Sequence, residues 1–339
     1  MRPRPEAKAR AFAALAAAFL VFAACPARAA EEADLPALRE LFRRPPPAVL
    51  PPDPLRESRE RLGRHLFFER LLSGTGRMAC STCHDPARFF QDDKPRAVGV
   101  FYRTLVRRTP SLFDLGEVRP LMRDGRAASL EEQVLMPILD PNEMGQTEER
   151  LLAQLGRVSF YREAFAAGFP GEGLSRATLA RALAAYLRTL ESPRTAFDAW
   201  VEGREDALEA KARRGLRLFA GRAGCIACHH GWRLTDDGFH DIGLPSRDLG
   251  RGRFDPERPF AFRTPSLRWV GARPPYMHDG SLPDLLAVIA HYDRGGIDRP
   301  SRSPLIRPLG LSRAEKEDLL AFLSSLSRPP PDERGGIAE

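Results

Sequence analysis

The stretch Cys80-Ser81-Thr82-Cys83-His84 and its later counterpart Cys225-Ile226-Ala227-Cys228-His229 are the parts of the sequence that decide the fold. In a Cys-x-x-Cys-His run the two thiols can add to the vinyl groups of one haem, and the histidine can bind its iron. A lone Cys-x-x-Cys could instead be half of a zinc site or a redox dithiol. Two copies, each with the histidine attached and without further cysteines to complete a zinc tetrahedron, predict two covalently bound haem c groups. His84 and His229 are then the proximal iron ligands.

Length and composition agree with two haem-bearing units. The 339 residues exceed one typical domain, and 31 prolines and 27 glycines predict long loops and short helices. The formal charge is +7, but residues 1–29 hold five basic residues and one acidic residue, which leaves about +3 for the rest of the chain. This balance does not indicate a nucleic-acid partner.

Residues 1–29 have the pattern of a signal peptide. Basic residues precede an apolar run from Ala11 to Ala24, and Ala27-Arg28-Ala29 offers a small-x-small cleavage site. The run is too short to span a bilayer. We therefore expect export, which haem c attachment requires, and a periplasmic location. Lipoprotein anchoring through Cys25 is the alternative. It is less favoured, because Phe22 replaces the aliphatic residue that is usual in a lipoprotein cleavage site.

A weak internal repeat precedes the two haem motifs. Residues 61–67 and 214–219 both contain Gly-x-x-Leu-Phe, with Gly63 and Gly215 at matching positions. The repeat predicts two related modules, each opening with a helix whose glycine permits close packing. We expect an N-terminal segment and proline-rich linker over 30–54, a first haem domain over 55–200, a second over 201–329, and a tail over 330–339.

Helix signals are frequent and strand signals are few. Ser175 can cap a helix in which Leu179, Leu183, Tyr186, Leu187 and Leu190 form an apolar stripe. Ser312 and Glu315 form a capping box for a final helix with Leu319, Leu323 and Leu326 on one side. The predicted fold is mostly α, with two cytochrome c-like haem domains, long loops and few strands.

Eight short runs between Leu62 and Leu326 together form a specific pattern: Leu62-Gly63-Arg64, Cys80 to Asp85, Asp124-Gly125-Arg126, Leu130-Glu131-Glu132-Gln133, Glu143-Met144-Gly145, Phe239-His240-Asp241-Ile242-Gly243, Thr264-Pro265-Ser266-Leu267-Arg268 and Pro275-Tyr276-Met277-His278-Asp279-Gly280. By these runs the chain resembles the bacterial di-haem cytochrome c peroxidase and MauG family. The resemblance implies two-electron reduction of hydrogen peroxide at the N-terminal haem, with electrons passed through or stored on the C-terminal haem.

The resemblance also implies a catalytic set. Peroxide cleavage needs a group that moves a proton to the departing oxygen and a polar group that holds the peroxide. By residue type and spacing, Glu143 is the implied acid/base, Gln133 the group that orients the oxidant, and Pro137 the residue that shapes the cavity. The alternative is that Glu143 merely caps a loop.

A removable histidine ligand is absent at the expected position. Many family members carry it after a glycine in the loop that follows the first haem motif, where this chain has Gly99-Val100. Valine cannot bind iron, so the first haem is expected to be five-coordinate without reductive activation. Met122, Met136 and Met144 are the other candidate ligands, and we expect them to fill the core.

Four residues compete for the distal position of the second haem: Tyr292, His291, Met277 and His278. The family's spacing after His278 falls on Tyr292, where peroxidases commonly have methionine and MauG-like members have tyrosine. We therefore predict Tyr292 as the distal ligand and His291 as its main rival. His230, His240 and His278 are expected to have structural or propionate-neighbour roles.

Three arginines stand where the family has neutral residues. Arg123 replaces a tryptophan between the haems, while Arg108 and Arg273 replace an asparagine and a threonine near an inter-haem calcium. A cation beside guanidinium groups is electrostatically unfavourable. The sequence therefore argues against calcium and against the aromatic relay, predicts indifference to calcium chelators, and suggests that Arg123 holds haem propionates.

Two functions follow from these expectations. The first is a periplasmic peroxidase that reduces hydrogen peroxide with electrons from a small cytochrome c or cupredoxin. The second is a MauG-like oxidase that uses peroxide to modify residues of a partner protein. Pure electron transfer without turnover is a third, which would leave Gln133 and Glu143 without a purpose.

Overall fold

The computed structural model describes residues 35–46 and 51–330. The predicted signal peptide, Cys25, part of the proline-rich linker and residues 331–339 lie outside this range. Across the described residues no helix combines the length and the apolar composition needed to cross a membrane.

The described chain is mostly helical, which confirms the predicted fold class. One short antiparallel pair of strands joins β1, Phe239–His240, to β2, Phe262–Arg263. The helices are α1 Leu35–Phe42, α2 Arg56–Phe67, α3 Cys80–Cys83, α4 Leu130–Gln133, α5 Leu135–Leu139, α6 Glu148–Arg157, α7 Ser159–Gly168, α8 Arg176–Arg188, α9 Ala196–Val201, α10 Ala210–Ala220, α11 Leu285–Arg294 and α12 Arg313–Ser325.

The first hydrophobic core forms where α2 crosses α8. Gly63 lies at the crossing, and a Cβ atom built there would come within 2.0 Å of the carbonyl oxygen of Ala182. Only a glycine lets the two backbones approach this closely. Leu62, Leu66 and the apolar stripe of α8 are buried on either side of the contact.

The second core repeats this arrangement with α10 and α12. A Cβ atom at Gly215 would lie 2.0 Å from the carbonyl oxygen of Asp318. Leu216, Phe219 and Phe322 are buried around the contact, and the rings of Phe219 and Phe322 meet edge to face at 5.0 Å. The sequence repeat therefore corresponds to a repeated helix crossing, one beside each Cys-x-x-Cys-His run.

Side-chain caps begin two of the core helices as predicted. The hydroxyl of Ser175 accepts a hydrogen bond from the backbone N–H of Thr178 at the start of α8. At the start of α12, Ser312 accepts from the N–H of Glu315, whose carboxylate accepts in turn from the N–H of Ser312. Each cap satisfies N–H groups that have no partner inside the helix.

The amino-terminal helix α1 packs against the second core, although it precedes the first core in the chain. Leu38 and Phe42 are buried there, and the ring of Phe42 meets Phe197 edge to face at 5.5 Å. The guanidinium of Arg39 lies 4.5 Å from the ring centre of Trp200. This helix lies in the N-terminal segment for which the sequence predicts no contact with either core.

The glycine crossing can be tested by adding one methyl group. We expect Gly63→Ala to lower the free energy of unfolding by about 1–3 kcal/mol, the usual cost of overpacking, because the backbone of Ala182 must move. Chemical denaturation followed by circular dichroism measures this. In the control Gly156→Ala, inside α6, the added Cβ meets only Leu174 at 3.8 Å. That control should be neutral or more stable, and equal stability of Gly63→Ala and the wild type would contradict the account.

Candidate functional site

The first Cys-x-x-Cys-His run presents its histidine in one defined tautomer. Cys80–Cys83 form the single turn α3, and the Nδ1–H of His84 donates to the carbonyl oxygen of Phe90 at 2.9 Å. A backbone acceptor on Nδ1 leaves the Nε2 lone pair available for a metal. Burial lowers the pKa of His84, which keeps the ring neutral, as ligation requires.

The second run repeats this arrangement on a different local backbone. Cys225–Ala227 form a 3₁₀ turn, and the Nδ1–H of His229 donates to the carbonyl oxygen of Leu234 at 2.9 Å. Burial also lowers the pKa of His229. The four cysteines of the two runs form no disulfide with one another. Each motif therefore offers two thiols and one metal-ready imidazole nitrogen, the donor set that a covalent haem requires.

A cavity of about 310 Å³ adjoins the second run. Cys225, Cys228 and His229 line it, together with aliphatic and aromatic residues from α11 and α12. Pro110 and Phe113, from the first half of the chain, also line it. A largely apolar cavity with a few convergent polar groups suits a prosthetic group such as haem.

Tyr292 and His291 are neighbours on α11 but have different surroundings. Tyr292 lines the same cavity as His229, whereas His291 is outside the lining and its Nε2 meets the carbonyl oxygen of Ile242 at 3.0 Å. Burial raises the pKa of the Tyr292 phenol, so a strong positive charge such as ferric iron is needed to hold the anion. The arrangement favours Tyr292 over His291 as the distal ligand.

Met277 and His278 also line this cavity. His278 makes other contacts with both its ring face and its Nε2. The ring stacks on Phe262 at 3.8 Å, and Nε2 lies 3.1 Å from the hydroxyl of Ser246, which disfavours His278 as an iron ligand. Burial lowers the pKa of His278 to about 4. Met277 has a left-handed backbone, with φ of 72°.

His230 and His240 have hydrogen-bond partners of their own. Nδ1 of His230 lies 3.2 Å from the carbonyl oxygen of Ile226. Nε2 of His240 lies 2.8 Å from the carboxylate of Asp236. Both contacts fit the structural roles expected for these residues.

Pro137 and Glu143 come together because the loop after α5 folds back on that helix. The N–H of Met144 donates to the carbonyl oxygen of Pro137 at 3.1 Å. The N–H of Glu143 donates to the carbonyl oxygen of Asp140, also at 3.1 Å. Glu143 lines a cleft of about 420 Å³ together with Met136 and charged residues. Among the described residues its carboxylate has no hydrogen-bond partner, which weakens the alternative that it caps a loop.

The environment of Glu143 suits proton transfer. Burial raises the pKa of its carboxyl, the charge of Asp140 raises it further, and Arg126 and Arg107 oppose the shift. The charge of Glu143 in turn helps raise the pKa of the Cys83 thiol to about 11, after burial and Asp92. The carboxylate therefore lies within electrostatic reach of the first haem motif.

Gln133 carries an unsatisfied polar atom. Its side-chain oxygen Oε1 is buried and has no hydrogen-bond partner among the described residues. Gln133 ends α4, four residues before Pro137, and Val134 continues in the helical conformation between α4 and α5. Buried amide oxygens are rarely left unpaired, so this atom fits a group that binds a small polar ligand.

Val100 occupies the position where many family members have a histidine, and it is 2% exposed. Its N–H donates to the carbonyl oxygen of Glu143 at 2.8 Å. The preceding Gly99 lies so close to Asn142 that a Cβ atom would come within 1.9 Å of its carbonyl oxygen. The loop is thus packed directly on the segment that carries Glu143, with an apolar side chain in place of a ligand.

The three unusual arginines lie in one region. Arg108, Arg123 and Arg273 all line the cavity beside the second motif. Burial lowers the pKa of Arg123 to about 9, and the charges of Arg108, Arg263, Arg107 and Arg273 lower it further. None of the three forms an ion pair with a carboxylate among the described residues, and guanidinium groups have no acceptor atom that could bind a divalent cation.

Two contacts of charged side chains near the first motif are not predictable from the sequence. Arg107 bridges Asp124 and Asp248, each at 2.6 Å, and so ties the loop after the first motif to the second half of the chain. Asp92 accepts a hydrogen bond from the hydroxyl of Thr109 at 3.0 Å, while its other oxygen is buried and has no partner in the described part of the chain. The only sequence signal was the Asp-Gly-Arg run that contains Asp124.

Comparisons with known proteins agree with this arrangement. Residues 57–206 match the model of the di-haem cytochrome c peroxidase family. The chain is 44% identical to a methylamine utilization protein MauG of Methylorubrum extorquens, over 89% of this chain and 87% of that protein. It is 31% identical to a cytochrome c551 peroxidase of Pseudomonas aeruginosa, over 82% and 81%.

A solved structure has a similar fold. It is a MauG-like protein associated with microbial copper homeostasis, with a TM-score of 0.76 and 32% sequence identity. The match covers 84% of this chain and 93% of that chain.

The distal ligand of the second haem can be identified by electron paramagnetic resonance of the ferric protein. We predict a low-spin histidine–tyrosinate signal that disappears in Tyr292→Phe, because Tyr292 lines the cavity that contains His229. His291→Ala is the matched control on the adjacent residue and should keep the signal. A signal that survives in Tyr292→Phe and is lost in His291→Ala would assign the ligand to His291.

Proposed function

Since the chain belongs to the di-haem cytochrome c peroxidase and MauG family, we propose that it reduces hydrogen peroxide to two molecules of water, using two protons and two electrons. The reaction takes place beside the first motif, and electrons arrive by way of the second. The observation that carries this proposal is the pairing of a half-buried carboxyl of raised pKa, Glu143, with the unpaired amide oxygen of Gln133. A protein that only transfers electrons would need neither.

The chain's own residues handle the protons of the peroxide. When bound at His84, haem supplies the redox-active iron that takes up the oxidising equivalents of the peroxide. Glu143 accepts the proton from one peroxide oxygen and donates it to the other, which leaves as water. Oε1 of Gln133 accepts a hydrogen bond from the peroxide O–H and so holds the peroxide in position. Pro137 limits the space around the oxidant.

The local structure supports these roles. The backbone hydrogen bonds of Met144 and Val100 fix the segment that carries Glu143 from two sides. The side chain of Val100 cannot bind iron, so this position of the loop would not supply a ligand to a haem held at His84. The raised pKa of Glu143 moves the carboxyl towards the operating pH, where a group can both accept and donate a proton efficiently.

A MauG-like oxidase is the second candidate, favoured by Tyr292. A tyrosinate ligand donates charge to the iron and stabilises high oxidation states. A second haem of this kind would store an oxidising equivalent for use on a partner protein, whereas a methionine-ligated haem would pass electrons on. The 44% identity with a protein named MauG supports the same reading.

The proposed location is the periplasm, reached through the signal peptide expected in residues 1–29. Covalent attachment of haem to the two Cys-x-x-Cys-His runs requires export. Partners of either candidate are proteins: a small cytochrome c or cupredoxin as electron donor, or a protein whose residues are oxidised. Anchoring through Cys25 is the less favoured alternative.

The role of Glu143 predicts a specific kinetic defect. Glu143→Gln should keep both haems and slow peroxide decay by about 10²- to 10⁴-fold, the usual contribution of a general acid–base group. Stopped-flow mixing with peroxide measures the rate. Glu149→Gln, at the exposed start of α6, is the matched control and should react as the wild type. An unchanged rate in Glu143→Gln would remove this residue from the mechanism.

The pH dependence of the wild type and of Glu143→Gln provides a second test of the role of Glu143. Glu143 must be ionised to accept the peroxide proton, so activity should fall as pH drops through its pKa. Burial raises this pKa, so the acid limb should lie above the ordinary glutamate value of about 4.3. The limb should be missing from the residual activity of Glu143→Gln. If the limb persists there, another group is responsible for it.

A turnover assay with peroxide and reduced cytochrome c separates the two candidate functions. Rapid, catalytic oxidation of the donor is the expected result for a peroxidase. Slow donor oxidation together with an oxidised form of the enzyme that persists after peroxide is consumed identifies the MauG-like oxidase. Absence of any reaction with peroxide would contradict both.

A further inference from the structure

Three arginines line the cavity beside the second motif without a carboxylate partner among the described residues: Arg108 is buried, and Arg123 and Arg273 are partly buried. Arg108, Arg123 and Arg273 make no ion pair with a described residue. By contrast, Arg263, Arg268 and Arg299 line the same cavity and pair with aspartates. The unpaired positive charge is therefore concentrated at one part of the cavity wall.

The hydrogen bonds of the three arginines leave donors unused. Arg108 donates to the carbonyl oxygens of Arg273 and Pro274, both at 3.3 Å, and Arg273 donates to those of Trp269 and Ser266. Among the described residues, the guanidinium of Arg123 has no hydrogen-bond partner, and its Nε is buried. A guanidinium carries five N–H donors, so many N–H groups of the three arginines have no acceptor among the described residues.

The backbone holds this cluster in place from both halves of the chain. The N–H of Arg108 donates to the carbonyl oxygen of His278 at 2.9 Å, and the N–H of Arg263 donates to that of Arg123 at 2.7 Å. Arg123 projects from a closed turn in which the N–H of Leu121 donates to the carbonyl oxygen of Ala127 at 2.7 Å. The three charges are thus fixed near one another and cannot simply move apart.

Buried like charges held in this way require a counter-anion. Uncompensated charge in a protein interior is strongly unfavourable, whereas an arginine–carboxylate pair with parallel hydrogen bonds is among the stronger polar contacts. The lowered pKa values of Arg123 and Arg273, to about 9 and about 10, reflect the same mutual repulsion, after the larger effect of burial. The missing ligand is therefore an anion.

We propose that Arg108, Arg123 and Arg273 form a built-in cationic site that binds the propionate carboxylates of the haem attached at Cys225 and Cys228, in place of a divalent cation. The cavity that the arginines line is the one that contains both cysteines and His229. The guanidinium groups neutralise the carboxylates and raise the reduction potential of that haem. This inference rests on the proposed haem attachment but not on peroxide turnover.

The test compares reduction potentials of the holoprotein after both haems have been counted. In Arg123→Met the ratio of ferric to ferrous second haem should rise at least tenfold at a fixed ambient potential. For a one-electron couple this corresponds to a reduction potential lower by about 59 mV. Arg123→Lys, which keeps the charge, should retain most of the wild-type potential. Arg307→Met is the control, because this arginine lines the same cavity but is exposed to solvent. An unchanged potential in Arg123→Met would overturn the proposal.

Measurements on the wild-type holoprotein keep the test decisive if Arg123→Met fails to assemble. After dialysis against calcium, elemental analysis should find no stoichiometric calcium, and a chelator should leave the haem spectra and potentials unchanged. One calcium per chain whose removal shifts the potentials would contradict the proposal. Inorganic phosphate added at constant ionic strength should have no effect. A saturable shift with phosphate would identify the cluster as a site for free anions and overturn the assignment to haem carboxylates.

Discussion

Two contacts between a glycine and a helix backbone underlie the rest of the structure. At Gly63 and again at Gly215, a long helix crosses a second helix so closely that the carbonyl oxygen of Ala182 or Asp318 occupies the space of a side chain. Each crossing organises one hydrophobic core, and one Cys-x-x-Cys-His run follows the first helix of each pair. The turn that carries each run is therefore supported by a rigid base. On that base, a carbonyl oxygen five or six residues further on fixes the ring of His84 or His229.

The two halves share a construction but differ in their chemistry. Around the first motif, Glu143 and Gln133 provide a carboxyl of raised pKa and an unpaired amide oxygen. Around the second motif, Tyr292 and a set of arginines face one cavity. We propose that proton transfer and peroxide binding belong to the first environment. Storage and transfer of charge would belong to the second, where the arginines line the cavity.

Local features were predictable from the sequence because their partners are close in the chain. The caps at Ser175 and Ser312, and the apolar stripe of α8, depend on hydrogen bonds and periodicity within a few residues. Long-range contacts were not predictable in this way. Packing of α1 on the second core, the bridge from Arg107 to Asp248, and the stack of Phe89 on Trp269 at 4.7 Å join residues more than 100 positions apart. The family resemblance identified Arg108, Arg123 and Arg273 as unusual, but only the fold shows that they share one cavity.

The account depends above all on each motif carrying its own covalent haem. Intact-mass measurement of the exported protein, before and after substitution of Cys83 or Cys228 by alanine, tests this most directly. We predict a mass that exceeds the polypeptide by two haem groups in the wild type. A chain that carries one haem or none, or that binds zinc at either pair of cysteines, would contradict the account.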